Sequence, residues 1–580
     1  LIAGLPAGAG AARAARERCH ASFQEEIRLL TADCFPITVA PGLDRLYLDY
    51  CQADPAVSRF YRSLPPDAGW QARPEVPAHW PELVSLLAGQ NPGATIAGSA
   101  TRAAVESLRQ GAGVVVTGQQ VGLFGGPLFT PFKAATAIAR ARQATRSGSP
   151  HAAIFWLASE DHDFEEINHV QFPSGRDLKK LVYQDSATLE RPVGGIQLDE
   201  RILPLVDEAW ALLGGSEAID ALVAAYQPGR TFAQAFGDFY SSVFAAQGLL
   251  VLDASGRAVH RIGAPVLRAA IEQADELHQK LIERNGELQA AGYHAQVAVG
   301  AQNSLVFLLD DKTGARMAIK RQAKSAAEPD GSWQAGRQRI STAELLGILD
   351  SQPERLSPSA LLRPVFQDFL LSTSLIIGGP AEIAYFAQSA VLFEQILGRL
   401  TPAQPRFSGT LVEPAIGQLL GKHELGLERV FGLSRGAAND AHQGASAASL
   451  AQLLAARALP IEGKQKLAAT DNALNAELTP LLEWMTALDA GLGSSARTAA
   501  AKMRYQMNRL HRLAANFELE KEASLGRHAE AISHALYPGS VLQERVHGAA
   551  YYFARYGFGL AEEICLQAEN TCSGHSVMRL

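Results

Sequence analysis

Four short apolar runs constrain this chain more than any other feature. Gly113–Thr117 (GVVVT), Ala152–Ala158 (AAIFWLA), Leu249–Asp253 (LLVLD) and Ser374–Ile377 (SLII) each stop at glycine or a polar residue. Short runs without polar alternation suit strands covered on both faces, as in a parallel sheet. Helix-like segments follow at Phe132–Arg146 and Arg257–Asn285, so the alternation predicts a doubly wound α/β sheet. Gaps of about ninety and about 120 residues separate the second, third and fourth runs, far more than a crossover helix uses. Each gap therefore predicts an inserted subdomain, 165–245 and 291–355, interrupting a core built from 34–164, 246–290 and 356–410. In the second insertion His294–Gly300, Leu305–Asp311 and Ala315–Arg321 alternate like hairpin strands, with a turn from Asp311 to Gly314.

From 411 to 535 helix formers dominate. Leu474, Leu478, Leu481, Met485, Leu488 and Leu492 step by four and three, a coiled-coil seam. Pro480 is expected to kink or restart that helix, and Gly491, Gly493, Ser494 and Ser495 to turn the chain. A second seam follows at Met503, Met507, Leu510, Ala514 and Phe517. Two antiparallel helices with facing seams are the expectation, read as an arm that joins two copies of the chain, the alternative being a helical pair packed on its own chain. Residues 1–33 read as a flexible extension and 536–580 as a C-terminal segment.

Composition narrows the partners. The chain has 580 residues, too many for one core, with 47% hydrophobic and 19% charged residues, a globular profile. With a net charge of −7 and no basic face, nucleic acid is not an expected partner. Cys19, Cys34, Cys51, Cys565 and Cys572 make no CxxC pair, and reduced thiols in a cytoplasmic protein are the expectation. The uncharged stretch Gly111–Phe132 is long enough to cross a membrane, but its glycines, prolines and Gln119-Gln120 suit an active-site loop.

Three constellations carry chemistry. In VVVTGQQVGLFGGPLFTPFK (Val114–Lys133) a strand ends at Thr117, and a glycine loop leads to a helix opened by Pro127. Thr117, Gly118, Gln119, Gln120, Gly122, Phe124, Gly126 and Thr130 are the candidates there for holding phosphate or a substrate carboxylate. The spacing is neither a Walker A loop nor GxGxxG. Lys133, about two helical turns on, is not placed on the phosphates. In FWLASEDHDFEEINHV (Phe155–Val170), Ser159, Glu160, Asp161, His162 and Asp163 crowd a strand's carboxyl end, where open α/β sheets bind ligands. His162 between two carboxylates is a candidate general base whose charged form the neighbours would favour, with Asp161, Asp163 and Glu160 beside it. The carboxylates are alternatively Mg²⁺ ligands beside a nucleotide, or simply a helix cap. A zinc site of His162 and His169 fits no standard spacing, and no resident metal is assigned. The third, IIGGPAEIAYFAQ (Ile376–Gln388), repeats the strand–glycine–helix pattern, with Gly379, Glu382 and Tyr385 as binding candidates, the last two on one helix face.

Together these segments, with LLRPVFQDFLL, PRFSGTLVEP, GYHAQV and LYPGSVLQERV, resemble the cysteine ligases of bacillithiol biosynthesis in order from about Cys34 onward. The resemblance implies a Rossmann core with two inserted subdomains, a coiled-coil arm supporting a homodimer, and a likeness to class I aminoacyl-tRNA synthetases. It implies addition of cysteine to glucosaminyl-malate by an amide bond; because a free carboxylate is a poor electrophile, activation of the cysteine carboxyl as an acyl-adenylate is expected, with ATP/ADP and Mg²⁺ as cofactors. No KMSKS-like motif accompanies it, and the first 33 residues and the tail after Gly557 carry none of its motifs. A metal-dependent hydrolase or amidase built on SEDHD, and a non-catalytic nucleotide-fold protein, are the alternatives from other classes.

Overall fold

The structure is a computed structural model that describes residues 30–580 apart from 41, 64–68, 72–74, 176, 185–190, 323–330, 437–446 and 571. The expectation for residues 1–33 falls almost wholly outside the described residues. The four apolar runs form one parallel sheet: Gly113–Gln119, His151–Leu157, Leu250–Asp253 and Leu375–Gly378, with a fifth strand, Ala403–Pro405, at one edge. That last strand, three residues long, is too short to show a pattern in the sequence. The chain places the first three strands side by side, then crosses back to put Leu375–Gly378 on the other flank of Gly113–Gln119. The order reverses between these two strands, and the crevice that opens beyond their carboxyl ends is where a doubly wound sheet binds ligands.

Both faces of the sheet are covered, as continuous apolar strands require. Val115, Phe155, Val251 and Ile377 pack on one side with Phe132 and Phe236 from helices Phe129–Arg146 and Phe232–Val243. Val114, Val116, Ile154 and Trp156 pack on the other with Leu83, Val266, Phe366 and Ile383.

The first insertion holds an antiparallel pair, His169–Ser174 with Asp177–Val182, and helices Ile202–Leu213, Glu217–Ala225 and Phe232–Val243. The second is a five-stranded antiparallel sheet in which Asn303–Leu309 and Arg316–Gln322 form the expected hairpin. His294–Gly300, expected as a strand, is not one. The segment read as a single helix from Arg257 to Asn285 is two, Arg257–Glu272 and Ala274–Ala290.

Helices Ile461–Leu488 and Ala490–Lys521 pack against one another, but not through facing seams: Leu478 and Met507 are buried, whereas Leu481, Leu488, Leu492, Met503, Leu510 and Phe517 are exposed. Pro480 sits inside the first without ending it, and the reversal comes at Asp489 rather than at the glycines. Asp489 caps the second helix by accepting a hydrogen bond from Leu492 N at 2.9 Å, so Gly491, Gly493, Ser494 and Ser495 are helical. Gly493 fits because a side chain there would strike Thr486 of the facing helix. Among the described residues no helix is long and apolar enough to cross a membrane.

One expectation fails at the chain's end. The tail after Gly557 is a helix, Gly559–Glu569, and a strand, His575–Arg579, that lies between Leu30–Phe35 and Ser408–Val412 in a second sheet. Strand Leu30–Phe35 runs antiparallel to it with Phe35 opposite His575, which brings Cys34 to Cys572 in a disulfide, Cα–Cα 5.7 Å. These two thiols are therefore paired rather than reduced. Their separation of 538 residues hid a proximity that only strand pairing creates. Cys565 is buried and Cys51 half-buried, both as free thiols.

Candidate functional site

The crevice at the strand-order reversal is a cavity of about 270 Å³. Gly118, Gln119 and Gln120 enter from one strand end, Trp156, Ala158 and Asp161 from the next, and Gly379, Glu382 and Tyr385 from the third. The first and third motifs are joined by Lys133, whose side chain is almost wholly buried. Its Nζ donates to Gly118 O at 2.7 Å and Gln119 Oε1 at 3.0 Å, and pairs with Glu382. All three ammonium protons are thereby used. Burial holds the Lys133 pKa below its ordinary value, an effect Glu382 offsets only in part. Helix Phe129–Arg146, which begins two residues after Pro127, turns this lysine inward to the cavity floor. A buried lysine on an otherwise apolar helix face was the available signal in the sequence.

Glu382 also accepts a hydrogen bond from Gly379 N at 2.7 Å, so it caps its helix as well as pairing with Lys133. Tyr385 Oη accepts from Arg363 at 3.4 Å, and burial pushes its phenol up to about 12 although Arg363 opposes the shift. Arg406, buried, is held by Glu544 at 2.6 and 3.0 Å, and Arg545 stands beside it at the exposed rim.

The rest of the glycine loop serves the scaffold. Thr117 Oγ1 donates to Ile377 O at 3.0 Å, tying the two strands at the reversal. Phe124 is fully buried against Tyr226 in a left-handed conformation, φ 49°. The Tyr226 hydroxyl donates to Gly122 O and accepts from Gly125 N, both at 3.0 Å. Gly126 O accepts from Ala549 N, and a side chain at Gly122 would meet Gly126 Cα at 2.9 Å. Gly122, Phe124, Gly126 and Thr130 thus lie beneath the cavity and do not line it.

The acidic run splits. Asp161 faces the cavity, and Gln120 Nε2 donates to its Oδ2 at 3.0 Å and to Glu166 Oε2 at 2.9 Å. Burial pushes the Asp161 carboxyl up, but Arg363, the Gln120 amide, the His162 N–H and Arg316 outweigh it and hold the group below its ordinary value. Ser159 turns away to donate to Asp253 Oδ1 at 2.5 Å. Glu160 turns inward to the fully buried His260, Nε2 to Oε1 2.8 Å; burial opposes charge on that ring, yet Glu160 raises its pKa on balance. Asp163 caps the short helix Phe164–Ile167 through Glu166 N at 3.1 Å.

His162 lies outside the cavity lining, over the second insertion. Arg316 Nη1 donates to its Nδ1 at 3.2 Å, and the Asp161 carboxylate is 3.7 Å away. A guanidinium can only donate, so Nδ1 is the acceptor in this contact. Arg316 is itself buried, stacked 3.8 Å over Phe307 and bonded to Ser357 Oγ and Pro358 O. It stands on a strand 154 residues from His162, so sequence reasoning missed it. Among the described residues no group of three or more metal-ligating side chains exists, which leaves the zinc arrangement of His162 and His169 without support.

Comparison with known proteins agrees with this layout. Residues 30–407 match the family model "Bacillithiol biosynthesis BshC, N-terminal Rossmann-like domain", and 410–580 match the model of its C-terminal coiled-coil domain. Relatives bearing the name "Putative cysteine ligase BshC" include one from Koribacter versatilis, 38% identical over 94% of this chain and 99% of its own length. Those from Solibacter usitatus and Salinibacter ruber are 34% and 30% identical, over 93% and 92% of this chain and 98% and 96% of theirs. The coiled-coil model extends to residue 580, so the tail after Gly557 is part of the family's domain rather than an addition to it. Two family models that leave little of the described chain uncovered, with relatives matched nearly end to end, establish that this chain belongs to the BshC family of bacillithiol biosynthesis.

Proposed function

We propose that this chain is a ligase that joins cysteine to glucosaminyl-malate through an amide bond, and that the cavity at the strand-order reversal is its active site. The observation that carries this reading is the convergence of the first and third motifs, with Asp161 of the second, on one polar cavity. A carboxylate is a poor electrophile and must be activated before an amine can displace its oxygen. The cysteine carboxylate would attack the α-phosphorus of ATP, and pyrophosphate would leave. The amine of glucosaminyl-malate then attacks the acyl carbon, AMP departs, and the amine loses one proton. Lys133, Arg363, Arg406 and Arg545 supply the positive surroundings that phosphates and carboxylates need. Asp161 and Glu166, which both accept from the Gln120 amide nitrogen and line the cavity, are the carboxylates that would offer oxygens to Mg²⁺, whose charge would neutralise phosphate. His162 does not line the cavity, so it would exchange a proton with the substrate amine or position it only where substrate extends past Asp161.

The arm is proposed to join two copies. Leu481, Trp484, Leu488, Leu492, Met503, Leu510 and Phe517 are all at least 40% exposed on the helical pair, whereas Leu478 and Met507 are buried within it. Such a stripe is costly in water and is covered when a second arm packs on it.

The hydrolase alternative loses its basis because Ser159, Glu160 and Asp163 each turn to a separate structural partner. The test is direct: purified protein with ATP, Mg²⁺, cysteine and glucosaminyl-malate is assayed for bacillithiol by thiol-labelled chromatography, with AMP and ADP quantified. Product accompanied by one AMP per amide bond supports the scheme, ADP instead would replace the adenylate by an acyl phosphate, and no product overturns the ligase reading.

A further inference from the structure

Helix Arg363–Leu371, within the segment LLRPVFQDFLL, presents to the cavity two side chains that were not among the binding candidates. Gln367 is only 7% exposed, yet among the described residues its amide has no hydrogen-bond partner. The amide opens on the cavity, where water or a ligand can satisfy it. Arg363, one helical turn earlier and so on the same face, has a single hydrogen bond from its guanidinium, the 3.4 Å contact to Tyr385 Oη. The other buried cations of the cavity are spoken for: Lys133 spends its three protons on Gly118, Gln119 and Glu382, and Arg406 is clamped by Glu544. Tyr385 accepts from Arg363 and keeps its own hydroxyl proton to donate. The wall beside them, Trp156 and Ile376, is apolar, which excludes water and strengthens any charge-assisted bond made there.

We propose that Arg363, Gln367 and Tyr385 form the carboxylate-binding subsite of this cavity. A planar guanidinium with unused N–H groups, an amide NH₂ one turn away and a phenol proton match the oxygens of a small carboxylate. The inference rests on the cavity being the substrate site, and it goes further by assigning the group recognised and the residues that recognise it. Two carboxylates are available in the proposed reaction, those of the malate moiety and that of cysteine.

Isothermal titration calorimetry of the full-length protein with L-malate and with L-cysteine, each alone, separates the sources, with glucosamine as a probe lacking a carboxylate. Arg363→Met is expected to weaken the affected probe by roughly 10- to 100-fold and Gln367→Leu by about 5-fold, as loss of charge-assisted and neutral hydrogen bonds does. Arg363→Lys should restore part of the affinity, since it keeps the charge but not the fork. Melting curves matching the wild type show that each variant is folded, and Gln367→Leu carries the test if Arg363→Met is not. Loss confined to malate or to cysteine supports the subsite and names its occupant. Unchanged affinity for both probes in the folded variants overturns it, as does a wild-type protein that binds neither. Malate binding that depends on Arg363 in a protein that makes no amide product would remove the ligase reading and leave the subsite. Wild-type KM values for both substrates in Arg363→Met would remove the subsite and leave the ligase.

Discussion

Replacing Glu544 by glutamine tests whether the cavity's cationic wall depends on a carboxylate from the C-terminal segment. Glu544 and Arg406 are 2% and 4% exposed, and Glu544 accepts two bonds from Arg406, one from Gly409 N at 2.9 Å and contacts from Ser408 Oγ. Burial pushes the Glu544 carboxyl up, but Arg406, His575 and the Gly409 amide outweigh it and hold the pKa below its ordinary value, so the group is ionised when folded. Glu544→Gln keeps the shape and removes the charge, leaving the Arg406 guanidinium buried and unpaired. Breaking a buried pair from one side costs about 3–5 kcal/mol. The same change should raise KM, because Arg406 lines the cavity and is no longer anchored. Equilibrium urea denaturation at pH 7 measures the first effect and steady-state kinetics the second. The double variant Arg406→Met/Glu544→Leu should recover most of the stability, as apolar replacements of buried pairs do, but not the KM. If Glu544→Gln unfolds within about 1 kcal/mol of the wild type, the pair is not the linchpin that its burial implies.

Other outcomes follow from the same structure. His162→Ala should lower kcat by roughly 10²–10⁴-fold and His162→Gln nearly as much if the ring transfers a proton, and near-normal turnover in either variant removes that role. Aspartate at both Leu481 and Leu510 should give folded monomers by light scattering, since a carboxylate buried in a seam is costly by several kcal/mol; a persisting dimer refutes the arm as the interface. Reducing Cys34–Cys572, or replacing Cys34 by serine, should cost about 2–5 kcal/mol and lower the melting temperature, because the bond closes a very long loop in the unfolded chain. His547 and His575 are buried with pKa values pushed down by burial to about 4. Between pH 6.5 and 4 the unfolded chain therefore binds protons that the folded one does not, so urea stability should fall as pH drops through that window. A flat profile there would contradict their burial as neutral rings.

The parallel sheet was legible because a strand covered on both faces must be apolar at every position, a local property that survives in one dimension. Gly113–Gln119 and its neighbours therefore stood out, and the long gaps between them gave the insertions by arithmetic alone. The seam at Leu474 to Leu492 was legible for the same reason, since helical period is written in the residues; its reversal at Asp489 was not, because a single capping carboxylate outweighed glycines that serve close helix packing. The motif ends Gly118–Gln120 and Gly379–Tyr385 meet in one crevice, as strand ends in such a sheet can. What the sequence could not decide was which side chain of a crowded motif faces outward. Asp161 and Asp163 are two residues apart and chemically identical, yet one lines the cavity and the other caps a helix. Arg316 against His162, Glu544 against Arg406, and Cys34 bonded to Cys572 join positions 154, 138 and 538 residues apart. Local pattern fixes which elements form, because backbone and burial demands act over a few residues. Partners across the chain are chosen by how those elements pack, and only the tertiary structure contains that choice.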